Sequence, residues 1–296
     1  MTKLAVAIAI ALSAAGCGDA GPQSSKPAAK QGGTSSASIP GYDAPRAVVW
    51  ALGDGATPGP AADHMAALIR RVKPQLFLYL GDVYETGTPA EFRQEYDRRY
   101  GRLAGITMPT IGNHEYANRF RGFYPYWATK KGHRQPPWSK RTIAGWQILD
   151  LSSQAPHGAG SPEVRWLTKT LAGAPGDCRI AFWHRPRYSA GVVHGVAPDL
   201  NPLWNRLAGH ARIVLSGHDH NLQRHRAQRG IVQYVVGAGG RGRYPLNRNA
   251  TMVWGRDDVD GALRMVLKPG SALLEFRSAG GRVLDRSRVS CTPGGV

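Results

Sequence analysis

Six residues carry most of the chemical content of this chain: Asp54, Asp82, Asn113, His184, His218 and His220. Each stands just after an apolar run rich in β-forming residues. Together they offer carboxylate, amide and imidazole donors, a mixed nitrogen and oxygen set that suits Zn, Mn or Fe. In Gly217-His218-Asp219-His220 the two imidazoles are two positions apart, so an extended backbone points both the same way, toward adjacent metals. Taken singly, each signal is ordinary. A Gly-Asp pair at a strand end is usually a turn or a helix cap, and a lone histidine is usually a hydrogen-bonded structural residue. The joint pattern is what points to a metal site.

Such donors need strands to deliver them. Ala47 to Leu52 and Leu76 to Leu80 are continuous apolar runs that read as buried strands, ending at Gly53-Asp54 and Gly81-Asp82. Helical spacing occupies Ala62 to Val72 and Pro89 to Tyr100, and Pro109-Thr110-Ile111 leads into Gly112-Asn113-His114-Glu115. Strands are expected again at Trp146 to Leu151, at Arg179 to Trp183 before His184, and at Ala211 to Ser216 before Gly217. A helix is expected over Pro162 to Leu171. Short runs follow at Ile231 to Val236, Ala262 to Leu267, Ala272 to Arg277 and Arg282 to Val289, punctuated as in an antiparallel sheet. In α/β sheets the site lies at the carboxyl ends of the strands, which is where every candidate ligand falls. The segment from Tyr116 to Arg141 is dense in aromatic and basic residues. It reads as a long loop covering the site, or alternatively as a satellite hydrophobic cluster with solvated charges.

The order of motifs resembles the calcineurin-like metallophosphoesterase superfamily over Arg46 to Val289: a first Asp, Gly-Asp, Gly-Asn-His-Asp/Glu, an isolated His, then Gly-His-x-His. Gly112-Asn113-His114-Glu115, Trp183-His184-Arg185-Pro186-Arg187-Tyr188-Ser189 and Gly217-His218-Asp219-His220-Asn221 look most like the purple-acid-phosphatase-like branch. That resemblance implies a four-layer α-β-β-α sandwich, two packed mixed sheets with flanking helices. It also implies two metal ions, Fe, Zn or Mn. Asp82 would bridge them, Asp54 and His220 would hold one, and Asn113, His184 and His218 the other. A hydroxide bridging the pair would attack phosphorus, while His114 would protonate the leaving oxygen or stabilise its charge.

The sequence departs from the family at two places. Many members have Asp-x-His in the first motif, and here Ala56 stands at the His position. Purple acid phosphatases supply a Tyr three residues after the bridging Asp, whereas Gly81-Asp82-Val83-Tyr84-Glu85 places Tyr84 one position early. Either Tyr84 still reaches the metal as a phenolate, or Glu85 takes the place of the acidic residue that orients the catalytic His in other relatives. We take Tyr84 as the ligand. His194, the Arg185 and Arg187 pair, and Arg241 in a glycine-rich loop are candidate contacts to phosphate oxygens, the alternative being a solvated basic surface.

The 296 residues carry 38 Lys and Arg against 20 Asp and Glu, a net charge of +18 that favours anionic partners. At 42% hydrophobic, the chain is too apolar to be wholly disordered. Leu4 to Ala15 is an apolar run too short to span a membrane but suited to a secretory signal. It ends at Ala14-Ala15-Gly16-Cys17, similar to a bacterial lipoprotein signal, though Ala14 replaces the usual Leu. The expected organisation is a signal over residues 1–16, a flexible tether over 17–45 and a metallophosphoesterase domain over 46–296, lipid-anchored through Cys17 at the cell envelope, or secreted. Export permits a bridge between Cys178 and Cys291, the alternative being two buried thiols. The expected activity is phosphate monoester hydrolysis by a monomer acting on a small phosphorylated substrate, with no specific nucleic-acid partner. A phosphodiesterase or nucleotidase, or a non-catalytic surface-binding lipoprotein, are the alternatives.

Overall fold

A strand buried on both faces needs apolar side chains at every position, and β1 (Ala47–Leu52) has them. Val49 and Ala51 face a core shared by two sheets, while Trp50 and Leu52 face helices on the other side. The computed structural model describes residues 46–173 and 175–293. The expected signal, the expected lipidation of Cys17 and the expected tether lie outside these residues. Among the described residues no helix is long and apolar enough to cross a membrane.

The first sheet has six strands in the order β13-β12-β11-β1-β2-β3. Here β2 is Leu76–Tyr79, β3 is Thr107–Pro109, β11 is Gly261–Lys268, β12 is Ser271–Ser278 and β13 is Val283–Ser290. β1, β2 and β3 run parallel, and β11, β12 and β13 extend the sheet antiparallel from β1. The second sheet has seven strands in the order β10-β8-β9-β7-β6-β5-β4. Its centre is parallel: β5 (Trp146–Asp150), β6 (Arg179–Phe182), β7 (Ile213–Ser216) and β9 (Val232–Val236). β4 (Ser139–Ile143), β8 (Leu222–His225) and β10 (Met252–Arg256) complete it antiparallel.

The two sheets share one core through Leu78, Leu80, Ile148, Ile180, Phe182, Leu215 and Met265. Outside the first sheet lie α1 (Pro60–Arg71), then α2 (Pro89–Glu91), a wide turn over Phe92–Asp97 and α3 (Arg98–Tyr100). Outside the second lie α6 (Pro162–Ala172) and α7 (Asn201–Leu207). This is the expected four-layer sandwich. The caps follow from local sequence. The Thr88 and Glu91 side chains cap α2 reciprocally, and the Ser161 hydroxyl accepts from Val164 N at 3.2 Å to start α6.

One expectation is corrected. The aromatic and basic segment after His114 is not a long loop: α4 (Asn113–Ala117), α5 (Phe123–Lys131) and β4 occupy most of it. Phe123, Tyr126 and Trp127 stand at i, i+3 and i+4, so they share a helix face, and that face packs on Phe92 and Tyr96. Lys130 and Lys131 lie over the Tyr126 and Trp127 rings. The hydrophobic-cluster alternative describes this segment. β8, β10 and α7 also escaped the sequence reading, being short and weakly patterned.

Cys178 and Cys291 are joined by a disulfide, with Cα atoms 5.0 Å apart. It ties the end of β13 in one sheet to the start of β6 in the other. Asp177 and Thr292 add a clasp beside it, with Asp177 N donating to Thr292 O at 2.9 Å and Thr292 N to Asp177 Oδ1 at 2.6 Å.

Candidate metal centre

The carboxyl ends of β1, β2 and β3 in one sheet and of β6 and β7 in the other open onto a common crevice. Asp54, Asp82, Asn113, His184, His218 and His220 all converge there. The backbone is bent hard to achieve this: Asp54, Asp82 and His218 lie in the left-handed region, at φ of 59°, 66° and 70°. Such conformations cost about 1–3 kcal/mol each and persist only where the surroundings impose them.

The donors form two groups that meet at Asp82. In the first, His184 Nε2 lies 2.9 Å from Asn113 Oδ1, 3.2 Å from Asp82 Oδ2 and 3.1 Å from His218 Nδ1. The other nitrogen of His184 donates to the Leu80 carbonyl at 2.8 Å, which fixes the ring with Nε2 facing the cluster. In the second, the Tyr84 hydroxyl lies 2.8 Å from Asp54 Oδ1, 2.9 Å from His220 Nε2 and 3.2 Å from Asp82 Oδ2. One hydroxyl hydrogen cannot serve three acceptors. Likewise, lone pairs of an amide, a carboxylate and two imidazoles repel unless a proton or a cation sits among them. The donor chemistry therefore fits two cations, with Asp82 common to both.

The groups of the crevice shift one another's proton affinities strongly. Burial disfavours the Asp82 carboxylate, but His184 and His114 more than reverse this and hold its pKa well below the usual carboxylate range. Burial lowers His184, yet the Asp82 carboxylate raises it further, to about 9. His218 is pushed down to about 2 by burial and by His184 and His194. Burial, then Asp54 and Asp82, drive the Tyr84 phenol far above its ordinary value.

His114 sits one residue past Asn113 with a different orientation. Its Nδ1 meets the Glu85 backbone carbonyl, and its Nε2 lies 3.6 Å from Asp82 Oδ2. Glu85 thus touches His114 through its main chain. The Glu85 carboxylate instead pairs with Arg241 at 2.6 Å, and the Arg241 guanidinium lies 4.9 Å from the Tyr84 ring centre. His194 stacks on His218, ring centres 4.0 Å apart. Arg185 and Arg187 have partners other than the candidate ligands. Arg185 is held by the Ser153 carbonyl and Asp199, and Arg187 donates to Asn201 Oδ1 at 2.6 Å.

Three participants escaped the sequence reading. Glu115 is buried and accepts from Gly112 N at 2.7 Å, Val83 N at 2.5 Å and Asp82 N at 3.2 Å, binding two ligand loops together. Its place in Gly112-Asn113-His114-Glu115, three residues past a helix start, was the available signal. Tyr244 stacks on His220 at 4.1 Å, and no local pattern announced it. The Leu80 carbonyl is a main-chain partner that side-chain patterns do not show.

The model of the family described as calcineurin-like phosphoesterase matches residues 48–222. The chain belongs to the calcineurin-like phosphoesterase family. The family is dinuclear metal-dependent, and among the described residues Asp82, His184 and His218 bring donor atoms within 4.8 Å of one another, as a metal ion would require. It is 28% identical over 181 residues to a probable cyclic nucleotide phosphodiesterase of Synechococcus, a match covering 56% of this chain and 66% of that one. Among solved structures it is similar to the purple acid phosphatase of yellow lupin seeds (Lupinus luteus), with a TM-score of 0.67 and 18% identity over 83% of this chain. The match spans 54% of the lupin protein, so the chain covers about half of that relative. A dimetal phosphatase of Danio rerio aligns with a TM-score of 0.57 and 12% identity, covering 82% of this chain and 98% of that one. At these identities the structural likeness speaks for the fold.

Proposed function

We propose that this phosphoesterase is an exported, dinuclear-metal phosphatase acting on phosphate monoesters. The observation that carries the reading is the pair of donor groups sharing Asp82, with His114 poised beside them but turned to a different partner. Asp54, Tyr84, His220 and Asp82 would hold one ion, and Asp82, Asn113, His184 and His218 the other. Bound there, the ions would supply Lewis acidity toward the phosphoryl oxygens and lower the pKa of an attacking water. His194 and Arg241 flank the donors and present nitrogens to the terminal oxygens that a monoester leaves free. With Nδ1–H held by the Glu85 carbonyl, a protonated His114 has its Nε2–H left for the departing alkoxide. The apolar core between the sheets, including Leu80, Phe182 and Leu215, lies beneath the donors and would strengthen their interactions.

Export is supported by the apolar N-terminal run and by the disulfide, which persists in oxidising compartments. Cys17 would then carry the lipid. The Synechococcus relative keeps phosphodiester hydrolysis as the second reading. Elemental analysis of folded, metal-replete protein, run beside a panel of phosphate monoesters and diesters, tests both. We expect two ions per chain and faster release from monoesters. One ion or none would remove the dinuclear centre, and faster diester cleavage would hand the function to the alternative.

A further inference from the structure

Asp219 stands between the candidate ligands His218 and His220 and is wholly buried, yet its carboxylate has a partner outside the donor groups. The Ser189 hydroxyl donates its one hydrogen to Asp219 Oδ2. The Ser189 oxygen then accepts from Gly191 N at 2.9 Å and from Gln223 Nε2 at 3.0 Å. The Gln223 carbonyl accepts from Ala190 N at 2.7 Å, and Asn249 Nδ2 donates to Ser189 O at 2.8 Å. Only glycine fits at the end of this turn, since a Cβ on Gly191 would lie 2.5 Å from the Asp219 carboxylate. Burial raises the Asp219 carboxyl, and the Ser189 hydroxyl, His194 and the backbone amides of His194 and Gly195 oppose that rise.

Three residues past Gly191, the His194 ring stacks on His218 with centres 4.0 Å apart and meets the Tyr244 ring at 5.4 Å. Its chain neighbours give it little apolar anchorage, because Val192, Val193 and Val196 are exposed. Gly191 and Gly195 bracket it and add backbone freedom. Polar ties must therefore hold this segment, and the tie from Asp219 comes from the ligand loop itself, as a hydrogen bond to a buried carboxylate. We propose that Asp219 is a positioning residue: through Ser189 it clamps the His194 segment to the ligand loop and so presets the His194 imidazole for a phosphate oxygen. A ring already in place loses less freedom when the anion binds, which raises affinity without a new contact. The inference rests on the phosphate-binding role given to His194 above.

The test uses inorganic phosphate, its Kd measured by calorimetry on metal-replete protein, with kcat and KM on a phosphate monoester alongside. Wild type, Ser189→Ala, His194→Ala and the double variant form a cycle. His194→Ala should weaken phosphate binding about tenfold, the order of one lost charge-assisted hydrogen bond. Ser189→Ala should weaken it about fivefold, raise KM more than it lowers kcat, and keep the wild-type metal content. The double variant should lie within about twofold of His194→Ala, because the clamp then has no ring to present. Losses that multiply to about fiftyfold would overturn the proposal, as would an unchanged Kd in either single variant. Loss of metal from Ser189→Ala would overturn it too, since the effect would then fall on His218 and His220. Should Ser189→Ala fail to fold, Asp219→Asn weakens the same bond from its other end at nearly equal volume and completes the same cycle. If the wild type hydrolyses no ester, the phosphatase reading fails, while the phosphate affinities still decide the clamp. A wild type that binds no phosphate overturns both.

Discussion

His114 and Asn113 are neighbours in the chain with divided labour. Asn113 Oδ1 points into the donor cluster at His184, whereas the His114 ring reaches the Glu85 carbonyl and leaves Nε2 beside Asp82. His114→Ala should therefore keep both ions, measured by elemental analysis. It should slow alkyl phosphates by about 10²–10⁴-fold, the usual contribution of a positioned acid. An activated aryl phosphate needs little protonation and should lose much less. Equal losses on both substrates, or loss of metal, would leave His114 as a ligand or a purely structural residue. Asn113→Ala should instead weaken metal binding and slow both substrates alike.

At the scale of elements, the ligand loops approach one another so closely that side chains are excluded. A Cβ on Gly112 would lie 1.9 Å from Asp82 Oδ1, and one on Gly217 would lie 2.6 Å from Asp54 Oδ2. Glu115 then binds the Gly112 loop to the Asp82 loop through three backbone N–H groups. Gly112→Ala should push the Asp82 carboxylate out of place. A displacement of about 1 Å at such a site costs about 10²-fold in turnover, so a loss of that order is expected in kcat/KM along with weaker metal retention. Wild-type kinetics in this variant would show that the loop yields without moving Asp82.

For the whole molecule, a covalent tie joins the two sheets and a buried carboxyl makes stability respond to pH. The Cys178–Cys291 bridge joins the sheets across a sequence separation of 113, so Cys178→Ser with Cys291→Ser should cost about 2–4 kcal/mol of unfolding free energy. Denaturant titration of both proteins measures it, and an unchanged midpoint would mean that the Asp177–Thr292 clasp suffices. Glu163, buried in α6, accepts from Ser152 N, while burial pushes its carboxyl up to about 8. Folding thus binds a proton there. That stabilisation is fully present below the ordinary value of 4.5 and is lost as pH rises through about 8. Glu163→Gln keeps the acceptor and should flatten the fall in stability across this window. Matching slopes in the two proteins would clear Glu163 as the cause.

The sequence by itself determined the strands and what stands at their ends. β1 and β2 are unbroken apolar runs, and β6 and β7 are apolar but for Arg179 and Ser216 at their ends, because both faces are buried. That same demand makes the polar residue after each one conspicuous. Hence Asp54, Asp82, His184 and His218 were legible, as were the family and the sandwich. The tertiary structure decided where the side chains that spacing left open come to lie. Tyr84 lies among Asp54, Asp82 and His220 because the turn after β2 aims it there, and spacing from Asp82 carried no such information. Glu85 faces His114 with its carbonyl and Arg241 with its carboxylate, a division no residue pattern encodes. The Tyr244 and His194 rings stack on His220 and His218 from separate segments of the chain. Periodicity reports which face of an element is buried. What meets that face is set by how the elements pack.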